Sequence, residues 1–297
     1  MTTANHQHLS VYRRCFGDST LFTLSDGCMD VPDAVWTDID ASTLDEIKQS
    51  AHLPPTTFTR NGISAFLLDT PDGRALIDAG AGPLIETTAG QFAEGLASID
   101  IRREDIDLIL LTHAHPDHFG GLMHDGAPNF PNARICLHAR EIDYWWSDDA
   151  RAASPDITRP WFDLARRFLT DHDGQIDTFP GTADLGRGIT ALPLPGHTPG
   201  HTGYLLERAG ERLLAWGDLC VSPAIQFAQP ETCLALDVDH TQSASIRVRM
   251  LDEAARDGTL IAATHAPFPS LGYVEKRGPS FAWLNDPWQY VFDEDEP

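Results

Sequence analysis

The sequence predicts an α/β protein arranged as a four-layer αβ/βα sandwich, two β-rich halves each covered by helices. Three observations predict it. Short apolar runs rich in β-forming residues recur along the chain, with turn residues between them. They come first as strands, then as a helix–strand alternation, then as strands again, with a helix and a strand last. The 297 residues are 42% hydrophobic, enough for a sizeable core, and show no repeat, low-complexity linker or domain boundary. A single domain over 1–297 is therefore expected, with a short N-terminal tail and a solvated acidic tail, "DEDEP".

In chain order, "STLFTLSDG" (Ser19–Gly27), "ISAFLLDT" (Ile63–Thr70) and "RALIDAG" (Arg74–Gly80) read as strands, and the turn Pro71-Asp72-Gly73 joins the last two as a hairpin. A helical stretch is expected near Glu86–Ser98. "DLILLT" (Asp107–Thr112) and "ARICLHA" (Ala133–Ala139) read as buried strands, the second leading into a helix through "REIDYWW". "GITALPL", "GYLLER" and "RLLAWGD" follow as strands in quick succession. Ser243–Ala255 has helical spacing, with Ile246, Met250 and Leu251 on one face, and "TLIAATH" (Thr259–His265) closes the strands.

Charge narrows the function. The chain carries 21 basic against 44 acidic residues, net −23. Such a surface repels phosphate backbones and anionic lipid heads, so neither nucleic acid nor membrane is an expected partner. The five cysteines are dispersed without paired spacing, which fits a reducing compartment rather than a disulfide framework. The N-terminus lacks a basic-then-apolar signal pattern, and no apolar run reaches membrane-spanning length; a cytoplasmic protein is expected.

The chemistry is concentrated in "LILLTHAHPDHFGG" (Leu108–Gly121). Three histidines and an aspartate follow an apolar run directly. Such residues build cores poorly and hold metals well. Partners stand after other apolar runs: His197 and His201 in "PLPGHTPGH", Asp218 in "LLAWGDLC" and His265 in "LIAATHAPFP". Side chains at strand ends project into the crevice beyond a sheet, so these positions can converge on one point.

The His-x-His-x-Asp-His stretch, the later Gly-His, the Gly-Asp and the late Thr-His together resemble the metallo-β-lactamase superfamily of binuclear metal hydrolases. "DVDHTQSASIRVRML", "THAPFPSLGY" and the N-terminal "SDG" resemble, more finely, its methyl parathion hydrolase and N-acyl-homoserine lactonase branch. The resemblance implies one metal on His113, His115 and His197, a second on Asp117, His118 and His265, and Asp218 bridging both. Zinc is the first expectation, with Mn, Co or Fe compatible. Two such ions about 3.5–4 Å apart can share a hydroxide and polarise the oxygen under attack. Asp117 would also orient the nucleophile or relay its proton. His201 competes with His197 as a ligand; a supporting role is favoured.

The resemblance also implies a pocket walled by Trp145 or Trp146, with Ile85 and Phe119 beside them; core packing is the other reading of the tryptophans. With no cationic clamp for a doubly charged phosphate, the expected substrate is a small neutral ester: lactone or carboxylic ester first, phosphotriester second. Two positions depart from the relatives. Val221 stands where lactonases of the better-known type carry a tyrosine three residues after the bridging Asp, and Ser270 ends a Pro-Phe-Pro that is commonly followed by Gly. Tyr273, eight residues after His265, is a candidate to supply the missing phenol, against packing on the C-terminal aromatics. Those aromatics, "FAWLNDPWQYVF" (Phe281–Phe292), either pack on the domain or form a homodimer contact. Two other classes stay open: an iron oxidoreductase of the same fold, mononuclear as in a persulfide dioxygenase, and a binding protein with a vestigial site.

Overall fold

The computed structural model describes residues 11–85, 88–124 and 127–290. The N-terminal decapeptide, Glu86 and the acidic tail lie outside the described residues. Two seven-stranded sheets face each other. The first is built from β1 (Val11–Phe16), β2 (Ser19–Pro32), β3 (Phe58–Thr70), β4 (Gly73–Ile77), β5 (Leu108–Leu110), β6 (Arg134–His138) and β7 (Ile176–Phe179). The second is built from β8 (Ala183–Asp184), β9 (Ile189–Pro193), β10 (Thr202–Arg208), β11 (Glu211–Ala215), β12 (Leu260–Ala262), β13 (Leu271–Arg277) and β14 (Ser280–Asn285). In both sheets, neighbours in space are neighbours in the chain.

Alternation along each strand makes the layers. In β3, Phe66 and Leu68 point between the sheets, while Ala65 and Leu67 point outward. In β11, Leu213 and Ala215 face inward and Leu214 outward. Both faces are covered, so these strands read as continuous apolar runs rather than alternating ones. Helices Phe92–Ser98, Ala139–Trp146 and Arg159–Asp171 close the first sheet through Phe92, Leu96, Trp145, Phe162 and Phe168. Helix His240–Asp257 closes the second with Met250, Leu251 and Ala254. Asp239 caps its start by accepting the Gln242 N–H at 2.9 Å, and Gly258 ends it at φ +61°. Burying each leucine of this kind contributes about 1.5–3 kcal/mol.

Two expectations change. The helix foreseen from Glu86 begins only at Phe92; the segment before it is tied to β2 instead. The strand list does not end at His265, because the β13–β14 hairpin follows. Glu275, Lys276 and Arg277 are exposed on its outer end, which blurs the apolar pattern. Beyond β14, Trp288 lies on the Tyr12 ring, 4.4 Å between centroids, and the Gln289 N–H donates to the Tyr12 hydroxyl. No helix among the described residues is long and apolar enough to cross a membrane.

Candidate metal centre

Strand direction gathers the site. β4, β5 and β6 are parallel, so Asp78, the His113–His118 loop and Glu141 leave the same edge of the first sheet. In the second sheet β11 and β12 are parallel, and β9 runs with them because both β9 and β11 are antiparallel to β10. His197, Asp218 and His265 therefore leave the matching edge.

There the side chains form two overlapping groups, His113, His115, His197 and Asp218, and Asp117, His118, Asp218 and His265, with donor atoms within 4.8 Å of one another in each. Nε2 of His118 and of His265 each lie 3.1 Å from Asp218 Oδ1 and 3.4 Å from Asp117 Oδ2. His197 Nε2 is 3.3 Å from Asp218 Oδ2 and 3.0 Å from His115 Nδ1. A tetrahedral ion with bonds of about 2.0–2.1 Å sets its ligand atoms about 3.3 Å apart, so these are spacings of ligands around a common centre. The contacts to Asp218 Oδ1 are not hydrogen bonds: Nε2 of His113, His118 and His265 and Oδ1 of Asp218 are buried without a hydrogen-bond partner. Buried polar atoms are rarely left so, and divalent ions held by the two groups would satisfy all four.

The far side of each imidazole is anchored. His118 Nδ1 meets Asp78 at 2.8 Å, His197 Nδ1 meets Asp237 at 2.6 Å and His265 Nδ1 donates to the Gly62 carbonyl at 2.7 Å. Thr112 hydroxyl bridges Asp78 to His113 Nδ1. Such contacts fix tautomer and ring orientation. His201 donates from Nδ1 to the Leu194 carbonyl and with Nε2 accepts the Asp218 N–H at 3.0 Å, so both its nitrogens are engaged away from the donor groups. Asp78, Asp237 and Thr112 were missed in the sequence. Asp78 ends the "RALID" run just as the histidines end theirs, which is the signal that could have found it.

Charge is shared unevenly. Burial, helped by adjacent imidazoles, pushes His113 and His115 well below the usual histidine range. At His197 the carboxylates of Asp218 and Asp237 outweigh burial and hold the pKa at about 10. At His118 and His265 burial is likewise outweighed, chiefly by Asp218 and Asp117, and the pKa rises. Burial would raise Asp218, yet His265 and His118 keep it well below the carboxylate range. Without metal the cluster stores protons that a divalent ion would displace.

A cavity of about 210 Å³ opens on Asp117, Asp218, His115 and His197. Val31, Leu84, Ile85, Ile157, Trp161 and Val221 are among its walls. Of the expected pocket residues only Ile85 is there. Phe119 is fully buried, its ring stacked on Phe168 at 4.8 Å beneath the site. Trp145 is buried behind His115, donating from its indole N–H to Glu141. Trp146 is 49% exposed and turned to Arg166. Successive helix residues diverge by about 100°, so the pair cannot share one wall. Trp161 takes the place expected of them, its ring 4.9 Å from His115. Tyr273 is also elsewhere: its ring packs against the core between the sheets, and its hydroxyl meets the Arg14–Asp286 ion pair. β13 carries it away from the edge where the ligands converge.

The profile of the Metallo-beta-lactamase superfamily matches residues 58–266. The crystal structure of the hydrolase AbOPH, described as in the beta lactamase superfamily, aligns with a TM-score of 0.90 at 28% identity, over 96% of this chain and 100% of that one. AidC, a dizinc quorum-quenching lactonase solved with a product, N-hexanoyl-L-homoserine, gives 0.88 at 23% identity over 95% and 99%, a likeness of fold. The uncharacterized protein YobT of Bacillus subtilis (strain 168) is 27% identical over 173 residues, 57% of this chain and 69% of that protein.

Proposed function

The chain belongs to the metallo-β-lactamase superfamily and is a metal-dependent hydrolase, and we propose that it uses two divalent ions to hydrolyse small neutral esters, lactones and carboxylic esters first and phosphotriesters second. The observation that carries this is the pair of donor groups joined through Asp218. His113, His115 and His197 would hold one ion, Asp117, His118 and His265 the other, and Asp218 both. The ions would supply an acidified water and a Lewis acid for the substrate oxygen. Zinc is proposed first, in keeping with the donor set and with the description of AidC as dizinc.

The chain's own side chains do the rest. Asp117 is held ionised by His118 and His265 against burial, and it lines the cavity. It would orient the nucleophile or relay its proton. Asp30, Asp117 and Asp218 face the cavity, and no lysine or arginine is among the described residues lining it. Nothing there clamps a doubly charged phosphate, whereas a neutral ester with an apolar group would find Ile85, Ile157 and Trp161. The description of AidC as a lactonase, with the ring-opened N-hexanoyl-L-homoserine as its product, supports the first rank. The aliphatic Val221, where lactonases of the better-known type carry a tyrosine, argues against that type's mechanism and keeps phosphotriesters as the second class.

A mononuclear iron oxidoreductase would leave the second donor group idle, although its atoms are as closely gathered as those of the first. The test is a panel of lactones, aryl esters, phosphotriesters, β-lactams and thioesters on metal-loaded protein. Metal-dependent turnover of a lactone or aryl ester is expected. Turnover of thioesters or β-lactams alone would overturn the substrate class.

A further inference from the structure

We propose that the buried carboxylate of Asp26 ties Ala81 to Phe92 and so sets the distance between the metal centre and the cavity wall that meets the substrate's apolar group. This rests on the hydrolase reading above. Asp26 belongs to the "SDG" of β2, where Ser25 pairs with Ser64 and Gly27 with Ile63. Asp26 is thus the extra residue of a β-bulge, a device that re-aims a side chain. It is fully buried.

Its Oδ2 accepts the Ala81 N–H and its Oδ1 the Phe92 N–H, each at 2.8 Å. The N–H groups of Gly82 and Gly90 help to offset the burial of the carboxylate's charge, and the Asp26 carbonyl accepts the Gln91 N–H at 3.0 Å. One residue therefore holds Ala81 on one side and Gln91 and Phe92 on the other. The close fit needs glycine: a Cβ on Gly80, at φ +75°, would lie 2.5 Å from Asp26 Cγ.

The opposite side of this tie rests on the segment that carries the ligands. The Ala79 N–H donates to the His118 carbonyl at 2.8 Å and the Gly121 N–H to the Gly80 carbonyl at 3.1 Å. A Cβ on Gly120 would come within 1.9 Å of the Ala81 carbonyl oxygen. Residues 79–82 are thus gripped between Asp26 and the "FGG" that follows His118. Leu84 and Ile85, on the same loop, line the cavity with His115 and Asp117. A shift of residues 79–82 would move this wall relative to the ligands. An ionised carboxylate accepts on both oxygens; an asparagine would turn an NH₂ group toward one of the two donors.

Asp26→Asn is compared with the unaltered protein, both metal-loaded, by hydrogen exchange and on 4-nitrophenyl acetate and 4-nitrophenyl octanoate. Exchange at Ala81 and Phe92 should accelerate about tenfold or more, with β5 unchanged, as expected for loss of a buried acceptor. Metal content should hold, and kcat/KM for octanoate relative to acetate should fall about tenfold, mainly through KM, because the wall and not the metal centre has moved. Faster exchange throughout, or equal losses on both esters, would make Asp26 a general fold element and overturn the proposal. In the unaltered protein, the Ala81 and Phe92 amides should be protected like those of Leu67 and Leu76; open-loop exchange would overturn the clasp even if the variant does not fold. Exchange does not require turnover, so a protein that cleaves neither ester counts against the hydrolase reading and leaves the clasp to be judged by exchange.

Discussion

Asp237 acts on the centre without being among its donors. It is buried, accepts from His197 Nδ1, and is held near pKa 2 despite burial by His197 and Arg247. Asp237→Ala frees the His197 ring, and metal affinity should fall by about 10–100-fold. Competition with a chelator measures this; an unchanged affinity would make Asp237 incidental. His201 poses the converse case. Its Nε2 holds the Asp218 main chain, so His201→Ala should weaken metal less than His197→Ala does, and the reverse order would exchange their roles. Tyr273→Phe should leave kcat within about threefold, since the hydroxyl faces Arg14 and Asp286; a fall of about 10²–10³ would mean that it donates to an oxyanion. The donor positions were legible because histidine is conspicuous after an apolar run. Asp78 and Asp237 were not, since in a chain with 44 acidic residues an aspartate in a turn reads as solvated.

Glu141 shows how elements are locked together. Fully buried on helix Ala139–Trp146, it accepts the Ala114 N–H from the β5 loop, the Gly200 N–H and the Thr198 hydroxyl from the β9 loop, and the Trp145 indole N–H. It thus joins the loop of His113 and His115 to that of His197. Glu141→Gln turns an NH₂ group toward some of these donors. Each buried donor left unpaired costs about 1–3 kcal/mol, so the urea midpoint should drop and metal affinity with it. An unchanged midpoint would contradict this tie. The covered strands were readable as apolar runs, and the helix His240–Asp257 as an apolar face. That helix also buries Arg247, which donates to the Leu219, Pro230 and Thr232 carbonyls. No periodicity reveals such a residue, because its place depends on carbonyls distant in the chain. The β13–β14 hairpin escaped for the opposite reason, its outer end being charged.

Across the whole molecule, the first sheet presents His113, His115, Asp117 and His118 and the second His197, Asp218 and His265, so a bound pair of ions would staple the two halves. A ligand that binds only the folded state at about 1,000 times its Kd adds about 4 kcal/mol. Chelation should therefore lower Tm by about 10 °C. A Tm indifferent to chelator would remove the staple. The sandwich was legible because the order of apolar runs gives each sheet a simple chain-order topology. Pocket identity was not, because Trp145, Trp146 and Trp161 differ by helix face and not by composition. The central claim is that two donor groups share Asp218. Elemental analysis of purified, zinc-reconstituted protein, with Asp218→Ala beside it, tests this most directly. The account predicts about two ions per chain, and loss from both positions in the variant. One iron with no second metal after supplementation, or no metal at all, would contradict it.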